Sequence, residues 1–112
     1  MLIYEVNLSV DKEIEEQYKE WLGAHVQEML QNEGFLGAEW LSRNAVDEGL
    51  PADDTKVLWT VHYRVTDDAA LQHYFEHHAP RMRQDGLNRF GGRFTASRRI
   101  LRLSSSFSPA SA

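Results

Sequence analysis

The hydrophobic period of this chain switches from two to about three and a half, and does so twice. No other feature restricts its fold as much. Leu2, Tyr4, Val6, Leu8 and Val10 share one face of an extended segment, with Ile3, Glu5, Asn7 and Ser9 on the other. Asp11 then offers an N-cap, and Glu13, Glu15 and Glu16 fill the first helical turn, where the backbone dipole favours acids. Ile14, Tyr18, Trp21, Leu22, Val26, Met29 and Leu30 follow at spacings of three and four, and Gly34 is a natural stop. The pattern then repeats. A strand is expected over Phe35 to Arg43, and an exposed loop over Asn44 to Asp54, which holds Gly49, Pro51 and four acids. Val57, Trp59, Val61, Tyr63 and Val65 alternate in a third strand. A helix starts at Thr66-Asp67-Asp68 and runs through Leu71, Tyr74, Phe75 and His78, ending or kinking before Pro80. Gly86 and Gly91-Gly92 read as turns, and the last strand as Arg93 to Leu103. The order β-α-β-β-α-β is the split βαβ, or ferredoxin-like, arrangement. It is an α+β fold in which a four-stranded antiparallel sheet carries two helices on one face. One domain is expected over residues 1–103, and a disordered tail over 104–112.

Composition narrows the chemistry. A chain of 112 residues, 42% hydrophobic and 26% charged, is a globular domain rather than a disordered or fibrous one. With no cysteine it has no disulfide framework, thiolate zinc site or cysteine nucleophile. No apolar run approaches the roughly 20 residues of a membrane span, and Met1-Leu2-Ile3-Tyr4-Glu5 does not resemble a signal peptide, so a cytoplasmic location and no membrane partner are expected. Charge is unevenly spread: the part after Pro80 carries +6, all from arginine, and the rest −11. Those arginines can pair with the acidic part of this chain or of a second copy, or hold a small anion. Nucleic acid is not expected, given the net charge of −5 and the absence of any nucleic-acid motif.

Two helices cover one face of such a sheet. The other face carries Ile3, Glu5, Asn7 and Ser9 beside Leu58, Thr60, His62 and Arg64, a mixture too polar for a core and too apolar for plain surface. A homodimer through this open face is therefore expected, with Ile3, Glu5, Glu39, Leu58, His62 and Arg64 at the contact. There Glu5 or Glu39 is expected to pair with Arg64, since burying them unpaired is costly.

His25 and His78 lie on the apolar stripes of their helices, 53 residues apart. Each is either a hydrogen-bonded core histidine or a general base in a cavity between helices and sheet. Tyr4, Trp40, Trp59 and Tyr63 are core aromatics or the walls of a site for a flat aromatic or polyketide-like ligand. Arg83 can hold an anionic group there, or serve a helix end. His73 and His77, four apart, share a helix face but lack a third ligand, so no metal is expected. Gly91-Gly92 does not have phosphate-loop spacing.

The run from Tyr74 to Arg83 (YFEHHAPRMR), then Gly86 to Phe94 (GLNRFGGRF), then Ala96 to Leu101 (ASRRIL), resembles a bacterial family of uncharacterised small proteins, DUF4286. Ile3-Tyr4-Glu5-Val6, Trp21-Leu22 and His25 share the likeness, which covers nearly all of Met1 to Leu103. Its most specific parts are His78-Ala79-Pro80 and Arg89-Phe90-Gly91. Family members often have proline two residues after the first histidine, where this chain has Gln27. The resemblance implies a branch of the dimeric α/β-barrel superfamily, whose other members include cofactor-free and haem-degrading monooxygenases. A haem-degrading set would require Asn7, Trp59 and His78 to converge, but Asn7 lies on the opposite face from Tyr4 and Val6. The reading is a small homodimer that binds a ligand or is non-catalytic, with no cofactor. One alternative is a cofactor-independent monooxygenase or isomerase using His78 or His25. Another is a protein-interaction module built on the arginine-rich third.

Overall fold

The computed structural model describes residues 1–110. Strand β1 (Leu2–Asp11) leads through a 3-10 turn (Lys12–Ile14) into helix α1 (Glu15–Met29), then β2 (Phe35–Arg43). A second 3-10 turn (Val46–Glu48) lies in the loop before β3 (Lys56–Val65). Helices α2 (Asp68–His77) and α3 (Ala79–Phe90) follow, then a third 3-10 turn (Gly91–Arg93) and β4 (Phe94–Arg102). The four strands form one antiparallel sheet in the order β2-β3-β1-β4. This is the ferredoxin-like α+β fold that the periodicity implies.

The alternation along β1 and β3 sorts their side chains as expected. Tyr4, Leu8 and Val10 of β1 and Trp59, Val61, Tyr63 and Val65 of β3 are buried against the helices. Tyr18, Leu22 and Met29 of α1, with Leu71 and Tyr74 of α2 and Met82 of α3, close the core from above. On the open face one row crosses the sheet as Glu39–His62–Glu5–Arg99, one residue from each strand. Its charges are satisfied within the chain. Arg99 is paired with Glu5, His62 Nε2–H donates to Glu5 Oε1 at 2.8 Å, and Asn7 Nδ2 donates to Glu5 Oε2 at 2.9 Å. Arg64 lies over Gly37, where no Cβ obstructs it, and pairs with Glu39. The intermolecular role expected of Glu5, Glu39 and Arg64 is thus already filled within the chain.

Two local expectations are corrected. Asp11 does not cap α1; it ends β1, its carboxylate pairs with Lys56 and Arg93, and the helix starts after the 3-10 turn. Gly86 is not a turn but a buried residue inside α3, because packing overrides its weak helix propensity. The end or kink expected before Pro80 is found, and a further helix follows it. α2 stops at His77, and α3 begins with Pro80 in its first turn, where its missing N–H costs nothing. Residues 103–110 form no helix or strand, and the expectation of disorder at residues 111–112 lies outside the described residues.

Candidate functional site: an aromatic cavity between helices and sheet

Between α1, α3 and the β1–β4 side of the sheet lies a cavity of about 260 Å³. Strand periodicity supplies its floor: Tyr4, Val6 and Leu8 from β1, Val61 and Tyr63 from β3, and Phe94, Ala96 and Arg98 from β4. The α1 stripe supplies one wall through Tyr18, Trp21, Leu22 and His25, and α3 supplies another through Met82, Arg83 and Gly86. Gly86 matters here because a Cβ at this position would lie 3.2 Å from the Trp21 ring. The indole therefore fits between the two helices, and its Nε1–H donates to Asp85 Oδ2 at 2.9 Å.

Trp21 in turn fixes His25. The two rings stack with centroids 4.7 Å apart and planes 18° from parallel. Burial pushes the His25 pKa below its usual value, and the nearby charges of Arg98 and Arg81 act in the same direction against Glu28 and Asp85. At neutral pH His25 is thus an uncharged imidazole on the cavity wall, the form in which a ring nitrogen can accept a proton. The tyrosine hydroxyls are held protonated: burial pushes Tyr74 up to about 12 and Tyr18 and Tyr63 higher still. Arg83 Nη2 donates to the Tyr4 hydroxyl at 3.3 Å.

The structure thus gathers His25, Tyr4, Tyr63 and Arg83 around one space and leaves the other sequence candidates outside it. Trp40 and Trp59 pack edge to face, 5.2 Å between centroids, and Trp40 lies out toward the β2 edge. His78 sits at the α2–α3 break, beside a shallow surface hollow shared with His73 and Arg81. It does not continue the α2 stripe, because the chain leaves helical geometry at this residue, with φ −129°. His73 and His77 are exposed with ring centroids 4.4 Å apart, and the described residues contain no group of three ligands able to hold a metal. Asn7 is hydrogen-bonded to Glu5 and Thr60 on the open face, away from Trp59 and His78.

Tyr18, Trp21, Tyr74 and Arg98 belong to the cavity although sequence reasoning did not select them for it. For Arg98 a signal was present: Phe94, Ala96 and Ile100 alternate on the inward face of β4, and Arg98 occupies the inward position between them.

An α+β sandwich of one antiparallel sheet under a helical layer, with a largely aromatic and aliphatic cavity between them, defines a ferredoxin-like small-domain class. The chain belongs to the DUF4286 family, a domain of unknown function, whose profile matches residues 1–104. No curated protein matches it. Among solved structures it is similar to a chain described as a "putative antibiotic biosynthesis monooxygenase" from Deinococcus radiodurans. That likeness has a TM-score of 0.67 and 17% identity, and covers 99% of this chain and 100% of the other. It is also similar to a de novo designed protein, Foldit4, with a TM-score of 0.63, 13% identity and coverage of 92% and 98%. At such identities the likeness is one of fold.

Proposed function

We propose that this protein binds a small, flat aromatic molecule in the cavity between α1, α3 and the sheet, and that it works as a homodimer joined through the open sheet face. The observation that carries the first part is the cavity itself. Its walls are mostly aromatic and aliphatic, with few polar groups, the usual character of a small-molecule site. Its volume lies just below the range of roughly 300–1,000 Å³ typical of drug-sized ligands, so one or two fused rings fit. The internal pairing of most arginines argues against an interaction module built on the basic end.

Binding is tested with 2-naphthamide, a neutral two-ring probe. Trp21 lines the cavity, so saturable quenching of its fluorescence is expected, and it should be lost in Gly86→Leu, whose side chain enters the same space. Absence of saturable binding to the wild type would sink the proposal.

A second reading is favoured by His25 and by the likeness to the Deinococcus radiodurans protein. In it His25 removes a proton from an activated CH₂ of the ligand, and the carbanion reduces O₂. One oxygen atom becomes the product carbonyl and the other leaves as water, so the substrate itself supplies both electrons and protons. With anthrone as substrate, His25→Asn should slow oxygen uptake by about 10²-fold or more, the range expected for general-base loss, with an unchanged melting temperature. Equal rates in the two proteins would remove this reading and leave binding alone.

A further inference from the structure

Nine arginines are present, and seven of them meet a carboxylate of the same chain. Arg83 and Arg98 do not, and these two line the same cavity. Arg83 has only the neutral Tyr4 hydroxyl at 3.3 Å, and Arg98 makes no side-chain hydrogen bond or ion pair among the described residues. No described carboxylate lines the cavity. The nearest acids on α1 and α3 are engaged elsewhere: Asp85 accepts from Trp21 and Arg89, and Glu28 pairs with Arg81.

The position of Arg98 gives this unpaired charge meaning. It stands opposite Val6 on the helix-facing side of β4, at a place in the strand pattern where an apolar residue would fit. Because β4 is an edge strand, its exposed guanidinium meets the cavity at the open rim. A chain that pairs its other arginines with its own acids, yet keeps two cations and no anion around one apolar space, has left the counter-charge to the ligand. Guanidinium is suited to that task, since it presents a planar pair of donors that matches a carboxylate.

We infer that the ligand is an aromatic carboxylate, its rings among Tyr18, Tyr63 and Tyr74 and its carboxylate on Arg98, with Arg83 as the second cation. This rests on the cavity reading above and adds to it the charge of the ligand and the residue that reads that charge.

The test compares 2-naphthoate with 2-naphthamide, which share ring system and size but differ in charge. Wild type should bind the naphthoate about tenfold or more tightly than the amide, the scale of one charge-assisted hydrogen bond in a partly exposed site. Arg98→Met should erase most of that preference, chiefly by weakening the naphthoate, the probe that carries the charge. Arg98→Lys should retain part of it. Equal affinity of the two probes in wild type overturns the charge assignment and leaves the cavity reading standing. Preference that survives intact in Arg98→Met overturns the role of Arg98. Failure of both probes to bind overturns both readings.

Discussion

Glu5 is the residue on which the open face turns. It is 4% exposed, on the central strand β1, with His62 directly opposite on β3 and Arg99 directly opposite on β4. A carboxylate at such a place is tolerable only when its lone pairs are used, and three side chains use them here. The Arg99 bond, foremost, holds its pKa down to about 2, from an ordinary 4.5, with Asn7 and His62 adding to it against the opposing effect of burial. The linkage has a definite sign. The folded pKa lies below the unfolded one, so Glu5 stabilises the protein above about pH 4.5, and that contribution disappears as the pH falls toward about 2. Glu5→Gln should therefore cost about 1.5–3 kcal/mol at pH 7, the range for hydrogen bonds to a charged group. In urea titrations the gap between variant and wild type should close between pH 4.5 and about 2. A gap independent of pH would show that shape, not charge, matters at this position. Arg98 makes the contrasting case. Its inward position was legible in the alternation of Phe94, Ala96 and Ile100, but its lack of a partner was not, because pairing depends on which acids the fold brings near.

At the scale of elements, Gly34 joins two parts of the fold at one point. It precedes β2 with φ +85°, a conformation that side chains with a Cβ rarely adopt. Its carbonyl accepts both the Thr66 N–H at 2.9 Å and the Thr66 hydroxyl at 2.8 Å, locking the start of β2 to the end of β3. A Cβ there would lie 2.4 Å from the Ala70 Cβ in the first turn of α2. Gly34→Ala thus meets both strain and collision, and should destabilise by about 1–3 kcal/mol or more. That is a drop in melting temperature of at least about 4 °C for a domain of this size. Gly49→Ala is the control: it has φ +77° but open space around it, so only the conformational part should remain. Equal losses at the two positions would mean that the contact with Ala70 relaxes freely. Strands were the most legible elements, since alternation fixes both their extent and their faces; β2 falls on Phe35–Arg43 as the pattern implies. Helix detail was less legible where packing competes with propensity. Gly86 lies inside α3 because the Trp21 ring needs the space that its missing side chain leaves, a reason that exists only once α1 and α3 are side by side.

At the scale of the whole molecule, the chain is a slab measuring 45 × 40 × 19 Å, helices on one side and a bare sheet on the other. Three apolar residues, Ile3, Leu58 and Leu101, are half-buried on that bare side, and Leu41 is 44% exposed beside them. The charged row between them is already neutralised within the chain, so a second copy need supply no counter-charge and can contribute apolar contact alone. A twofold pairing of these faces is then self-complementary, because each protomer offers the same rows. Light scattering at micromolar concentration should give about 26 kDa, twice the 12.9 kDa of one chain. Leu58→Asp should shift that mass toward the monomer by placing an unpaired charge at the contact. The cavity lies on the helical side of the sheet, lined by α1, α3 and the inward face of the strands, away from this face. The monomeric variant should therefore bind 2-naphthamide as wild type does, to within about threefold, as expected for sites without shared partners. A monomeric wild type would remove the dimer while leaving the cavity untouched. Loss of binding together with the dimer would instead show that the second copy helps to shape the site.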